Sequence, residues 1–375
     1  MNDSPGMRTR AARHVALTVA LTATLVLLCC TGGIGAVLFS DDEPDSALFA
    51  AFGCGRDGPV DPDQAPRVGP YGPDQVANAA VIINTGAELS VSPRGWVIAV
   101  ATAMQESALR NLGHLGDRND HDSVGLFQQR PSQGWGTPVQ LQDPAYSSQK
   151  FYQKLLTIDG WETMALTDAA QRVQVSAFPD AYAKHEPLAT RIVNILTGGA
   201  ARAVAGPDGL LRCAADGEVA ASGWTRPVPG NVGSGFRTSS RPGHNGVDIA
   251  QPKGTLIRAA SAGRVIVSRC DPDQYGRLDC DVDGSPSKGG CGWFVDILHA
   301  DQVITRYCHM VKRPEVGEGD LVDAGQVIGE VGSSGNSSGP HLHYEIHLNA
   351  DRSSRGAVDP VPFMRERGAP LGESG

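Results

Sequence analysis

Positive charge is scarce in this 375-residue chain: 32 Lys and Arg face 41 Asp and Glu, for a net charge of −9. A nucleic-acid binder shows a basic stripe, and adhesion to an anionic surface needs a cationic one. The bulk composition argues against both. No repeat of solenoid period is present, and the 46 glycines and 25 prolines follow no fibrous period. They mark turns and linkers instead. The length exceeds one typical core and points to two domains with connecting segments.

Charge is missing altogether from Val15 to Phe39, a stretch preceded by Arg8, Arg10 and Arg13. It is long enough to cross a bilayer as a helix and longer than a signal-peptide core. A small-x-small cleavage site is not evident, and Asp41, Asp42, Glu43 and Asp45 follow. Basic residues inside and acids outside predict a single-pass anchor at 15–39, a cytoplasmic tail at 1–14, and everything after residue 40 exported. A cleaved signal is the alternative. Cys29 and Cys30 read as membrane-buried thiols, since Leu28 is a poor match to a lipoprotein processing site. The other cysteines then lie in an oxidising compartment. Many pairings are open; the preferred ones are Cys54–Cys213 as a clasp, Cys270–Cys280 around a small loop, and Cys291–Cys308 across a hairpin.

Texture divides the exported part. Residues 40–69 are rich in Asp, Pro and Gly and read as a tether. From 70 to 200 the pattern is helical: Ser92 is an N-cap candidate with Pro93 in the first turn, and Val97, Val100, Ala101 and Met104 form one core face. A second Gly/Pro/Ala-rich connector covers 201–227. Beyond it, short runs such as "GRVIVSR", "WFVDILH", "VITRYCH" and "HLHYEIH", punctuated by glycine, predict an antiparallel β-domain over 228–370.

The last of those runs poses the chemical question. Read as a strand, it sets Leu342, Tyr344 and Ile346 on one face and His341, His343, Glu345 and His347 on the other. Upstream, "HNGVDIA" places His244 and Asp248 on one side of an extended segment. With His343 they make a His-Asp-His set that suits zinc and leaves a fourth position for water. Such an ion acidifies water and polarises a carbonyl, which is hydrolysis chemistry. His309 and His341 are left for proton transfer. His347 lies about 20 Å along the strand from His341 and cannot share the coordination shell. Surface or hydrogen-bonded roles suit it, together with His14, His114, His121, His185 and His299.

"HNGVDIAQPKGT", "RYCHM" and "GSSGNSSGPHLHYE", in that order over roughly 228–365, resemble the signature of the lysostaphin-type, LytM-like zinc endopeptidases. The resemblance implies that His244, Asp248 and His343 hold Zn2+, that His309 and His341 assist catalysis, and that peptidoglycan cross-bridges or stem peptides are the substrate. A tyrosine that assists some relatives has no clear equivalent here, and Cys270 to Cys291 looks like an insertion. Both leave the bond specificity open.

In the helical segment, "AMQESAL" puts Glu106 at the end of an amphipathic helix, with "SVGLFQQRP" a short distance on. A carboxylic acid in a half-apolar cleft can protonate a glycosidic oxygen; a solvated surface glutamate is the bland alternative. "QES" followed by "GLFQQ" resembles the lysozyme-like soluble lytic transglycosylases over roughly 70–200. That resemblance implies Glu106 as general acid and base, with Gln128 near the glycan groove. Asp117, Asp120 and Asp122 are available as a second carboxylate; the run containing them lacks the glycine and distal glutamate of an EF-hand loop.

The expectation is therefore a multidomain bacterial protein: a transmembrane helix, a mainly α lysozyme-like domain, then a mainly β metallopeptidase domain. It would sit in the cell membrane with its C-terminal domains outside, facing peptidoglycan, as a bifunctional hydrolase. The rivals are an active endopeptidase whose helical domain only grips glycan, and a non-catalytic scaffold that docks on wall or activates another enzyme.

Overall fold

Prolines open most of the helices, at the turn where a missing N–H costs nothing. In the computed structural model, which describes residues 54–55, 58–114, 116, 119, 121–205, 210–215 and 217–372, the N-terminal half is built from α1 (Pro73–Glu88), α2 (Pro93–Ser107), α3 (Pro138–Leu141), α4 (Pro144–Leu155), α5 (Leu166–Gln174) and α6 (Glu186–Thr197). The expected tail at 1–14 and anchor at 15–39 lie outside the described residues, as do Asp117 and Asp120. Among the described residues no helix is long and apolar enough to cross a membrane.

Helix α2 differs from its expectation in two ways. It is buried all round from Pro93 to Met104 rather than on one face, because α1, α4, α5 and α6 all pack against it and small residues (Gly95, Ala99, Ala101, Ala103) let them approach. Ser92 occupies the N-cap position, but its hydroxyl makes no capping bond and is buried without a partner. The core around α2 includes Ile82, Ile98, Phe127, Phe151, Tyr152 and Tyr182.

The C-terminal half is an antiparallel sheet. Its strands are β3 (Val232–Ser234), β4 (Val247–Ala250), β6 (Gly263–Cys270), β7 (Trp293–His299), β8 (Ile304–Met310), β9 (Leu321–Val322), β11 (His341–His347) and β12 (Ala357–Val358). They run in the order β3-β4-β11-β8-β7-β6-β9, with β12 paired to β11. Strands β5 (Leu256–Arg258) and β10 (Val327–Glu330) form a separate pair, and α7 (Pro360–Glu366) packs on β11. One face of the sheet is sealed by Val247, Ile249, Val295, Ile297, Tyr307, Leu342, Tyr344 and Ile346. All three preferred disulfides are present: Cys54–Cys213, Cys270–Cys280 and Cys291–Cys308.

The described parts of the two joining segments are packed. Val60 is buried and exchanges two backbone bonds with the Asn84 amide. In the second connector, β1 (Ala203–Ala205) pairs with β2 (Leu211–Cys213). Residues 220–228 are then buried, with Trp224 inside the β core. Their composition is linker-like, yet small residues are also what a close approach between two halves requires. Arg94, itself buried, donates to Glu186 at 2.6 Å and to the Ala221 carbonyl, and Ala324 N–H donates to the Thr163 carbonyl across the junction.

Candidate metal centre and catalytic groove

Strand alternation and register build the centre. On β11 the apolar set faces the core, so His341, His343, Glu345 and His347 share the other face. Antiparallel pairing sets His343 directly opposite Asp248 on β4 and opposite Cys308 on β8. His244 comes from the turn before β4, where its Nδ1–H donates to the Gly235 carbonyl at 2.7 Å and leaves Nε2 turned to the site. That Nε2 lies 3.0 Å from Asp248 Oδ1 and 3.1 Å from His343 Nδ1, and His343 Nδ1 lies 2.8 Å from the same carboxylate oxygen. The three donor atoms are all within 4.8 Å of one another.

Two imidazole nitrogens and one carboxylate oxygen, gathered at that spacing, are a zinc donor set with room for a fourth ligand. The local charges fit a cation there. Burial works against an ionised Asp248, but hydrogen bonds from His244, His343 and Arg241 hold its pKa far below the ordinary range. Burial also disfavours a charged His343, while the carboxylates of Asp248 and Glu345 outweigh it and push the pKa up to about 9. The same carboxylates favour a metal ion in the proton's place. Arg241, bonded to Asp248 Oδ2 at 2.6 Å and to Ser234 Oγ at 2.7 Å, fixes the carboxylate so that Oδ1 faces the two histidines.

His309 reaches the site through a backbone irregularity. The β7–β8 ladder shifts register between Trp293 and Val295, and His309 sits at φ +66. An extra residue on one strand re-aims a side chain. His309 Nδ1–H donates to the Ser334 carbonyl at 2.7 Å, and its ring centroid lies 4.7 Å from that of His341. Burial and the neighbouring His343 and His341 lower its pKa to about 3, so the ring is neutral near pH 7. His341 Nδ1–H donates to the Gly339 carbonyl at 2.8 Å, and its Nε2 is 3.6 Å from Asp248 Oδ1. Both rings therefore keep Nε2 as the basic nitrogen. All five residues line an open groove of about 750 Å³, walled on one side by Asp271, Pro286 and Cys291 of the disulfide-bounded insertion.

Of the two roles expected for His347, the hydrogen-bonded one holds. The residue is 0% exposed and sits behind the centre, its Nε2 2.6 Å from Glu345. Reasoning from sequence also passed over Glu345, Arg306 and Asp296. The alternation already placed Glu345 and His347 on the polar face of β11. Arg306 and Asp296 join them only through the pairing of β11 with β8 and of β8 with β7.

In the helical half, Glu106 lies at the last turn of α2, half-buried, and accepts a 2.6 Å bond from the Tyr182 hydroxyl. Burial and the adjacent carboxylate push the Tyr182 phenol above its ordinary range. Ser107 ties the helix end to the following loop through the Leu126 carbonyl at 2.7 Å. Gln128 is half-buried at φ +48, its amide donating to the Gly125 carbonyl at 2.9 Å, so part of its bonding capacity holds its own turn. Asp122 accepts from the Ser132 backbone N–H and hydroxyl and from Arg130, and its pKa falls to about 2. It braces a loop.

Residues 242–360 match the model of Peptidase family M23. The DD-carboxypeptidase/endopeptidase Mpg of Neisseria meningitidis serogroup B is 42% identical over 106 residues, which is 28% of this chain and 20% of that protein. Lysostaphin of Staphylococcus simulans is 32% identical over 125 residues, 33% of this chain and 22% of that protein. Among solved structures, lysostaphin from Staphylococcus simulans aligns at 30% identity with a TM-score of 0.31, covering 37% of this chain and 50% of that one. The chain thus spans about a fifth of the curated relatives it matches. Its C-terminal half carries an M23 domain of the lysostaphin type, and the matched span contains all five groove histidines and carboxylates named above.

Proposed function

We propose that this chain is a zinc-dependent endopeptidase that cuts peptides of peptidoglycan. The observation that carries the reading is the convergence of His244, Asp248 and His343 at the floor of a groove, with His309 and His341 beside them. Zinc, when bound, supplies Lewis-acid polarisation of the scissile carbonyl and a water acidified towards neutrality. The chain's own groups do the rest. Asp248, its Oδ2 held by Arg241, would offer Oδ1 to the ion. His309 and His341, anchored at Nδ1 by carbonyls, accept and return a proton at Nε2. A relative named as a peptidoglycan DD-endopeptidase, ShyC of Vibrio cholerae, 36% identical over 106 residues, supports a wall peptide as substrate.

The finer parts of the reading extend it. The helical half, 70–200, is proposed to cleave the glycan strand with Glu106 as acid and base. Its half-buried carboxylate, bonded to Tyr182, supports this. An anchor at 15–39, with the rest of the chain outside the cell facing the wall, is proposed from the uncharged stretch there. The deciding experiment is product analysis of purified peptidoglycan digested by the protein, scoring new amino groups against new reducing or anhydro sugar ends. Amino groups that appear with zinc and vanish in His343→Ala support the peptidase. Sugar ends that vanish in Glu106→Gln support the second head, and sugar ends unaffected by that change remove it.

A further inference from the structure

Behind the metal centre lies a buried polar network that the reaction described above does not use. Glu345 is 6% exposed, and both of its oxygens are engaged. Oε1 is 2.9 Å from His343 Nε2; Oε2 is 2.6 Å from His347 Nε2 and accepts from Arg306 at 3.1 Å. His347 Nδ1 faces the carbonyls of Asp351 and Ser353 at 3.1 and 3.2 Å, so it carries a hydrogen and the ring cannot turn. Arg306 is gripped in turn by two bonds to Asp296, at 2.8 and 2.9 Å, and Arg352 donates to Asp296 at 2.7 Å. Asp296 is 0% exposed.

A fold does not need such an arrangement for stability. Buried ion networks are often matched or bettered by apolar residues of the same volume. What this one does is geometric. A carboxylate oxygen only accepts, so His343 must carry its hydrogen on Nε2. The proton that a cation displaces is then the one on Nδ1, the nitrogen that faces Asp248 and His244. We propose that Glu345 is a positioning residue of the zinc site, locking the tautomer and ring plane of His343, with His347 and Arg306 holding Glu345 in place. The inference rests on the reading of His244, Asp248 and His343 as zinc ligands. Partners of this kind, one bond removed from the metal, typically change its affinity by about 10- to 100-fold when lost.

The test measures zinc affinity of the full chain by chelator competition, for wild type, Glu345→Ala, Glu345→Gln and Arg352→Ala. Nitrogen-15 NMR of the histidines in the zinc-loaded protein reads which nitrogen of His343 carries hydrogen. Glu345→Ala is expected to bind zinc about 10- to 100-fold more weakly and to lose the single Nε2–H signature. Glu345→Gln keeps an acceptor oxygen and is expected to recover most of both; if the alanine variant does not fold, the wild-type spectrum carries the test, since a His343 hydrogen on Nδ1 in the zinc-loaded protein overturns the inference. Arg352→Ala, which removes only an outer contact to Asp296, is expected to lower thermal stability and leave zinc affinity within about twofold, the reverse of what a metal-orienting role predicts for Glu345. Zinc affinity and tautomer unchanged in both Glu345 variants overturn the inference, as does an equal loss of affinity in Arg352→Ala. Wild type that binds no zinc overturns the zinc site itself and this inference with it.

Discussion

At the scale of single residues, the two groove histidines and the three proposed ligands are separable by what they touch. His309 and His341 are anchored by carbonyls, not by the donor cluster. Their alanine variants are expected to keep stoichiometric zinc while turnover falls by about 10² or more, with elemental analysis and a peptide assay as the paired readouts. Loss of zinc in His341→Ala reverses the roles. His299 answers a different question. It is 6% exposed, between the Ala262 carbonyl and the Thr305 hydroxyl, and burial lowers its pKa from 6.5 to about 4. Between those values the unfolded chain binds more protons than the folded one, so stability rises with pH there. The contribution is complete above pH 6.5 and lost as pH falls towards 4, up to about 3 kcal/mol. Denaturant midpoints of the zinc-free protein between pH 7.5 and 4.5 should show this as a slope that is shallower in His299→Gln, where lowered groups such as His309 and His185 still contribute; equal slopes in the two proteins dismiss it.

At the scale of elements, the pairing of β4 with β11 holds the centre together, and one glycine permits it. A Cβ on Gly246 meets the Tyr344 carbonyl oxygen 2.2 Å away, far inside contact distance, so that strand edge admits no side chain. Gly246→Ala is expected to force β4 from β11 where Asp248 faces His343, weakening zinc binding at least about tenfold and lowering the melting temperature. Gly243→Ala in the same loop, with open space around its Cβ, serves as the control, and equal zinc affinity in the two variants rejects the argument. The irregularity in β8 is the second device. Without the shift of the β7–β8 ladder and the left-handed backbone at His309, strict alternation would not bring that ring beside His341.

At the scale of the molecule, the halves are joined by a buried seam. Trp224 belongs to the β core and stacks edge-on with Phe363 at 5.4 Å, and the Thr225 N–H donates to the Ala260 carbonyl. A β fragment beginning at Val228 therefore lacks part of its own core. It is expected to be about 3–5 kcal/mol less stable than one beginning at Gly217, the usual penalty for removing a buried tryptophan. Equal urea midpoints for the two fragments refute that. The seam also means that a change in α2, such as Arg94→Ala, is felt at the Ala221 carbonyl of the connector.

Much of this protein was legible in its residues alone. Alternation in "HLHYEIH" and the four-residue spacing of His244 and Asp248 are local properties, and they picked out the three side chains that the fold brings together. The β-runs from Gly263, Trp293 and Ile304 became strands, and the cysteine spacings became the three bridges. Local periodicity carries no information about partners across a sheet. That is why Arg306 and Asp296 went unseen, why the burial of His347 behind the centre was not foreseen, and why a small-residue connector gave no sign that it packs between two cores. Those features depend on register, on a bulge and on an interface between distant segments, and they exist only once the chain has folded.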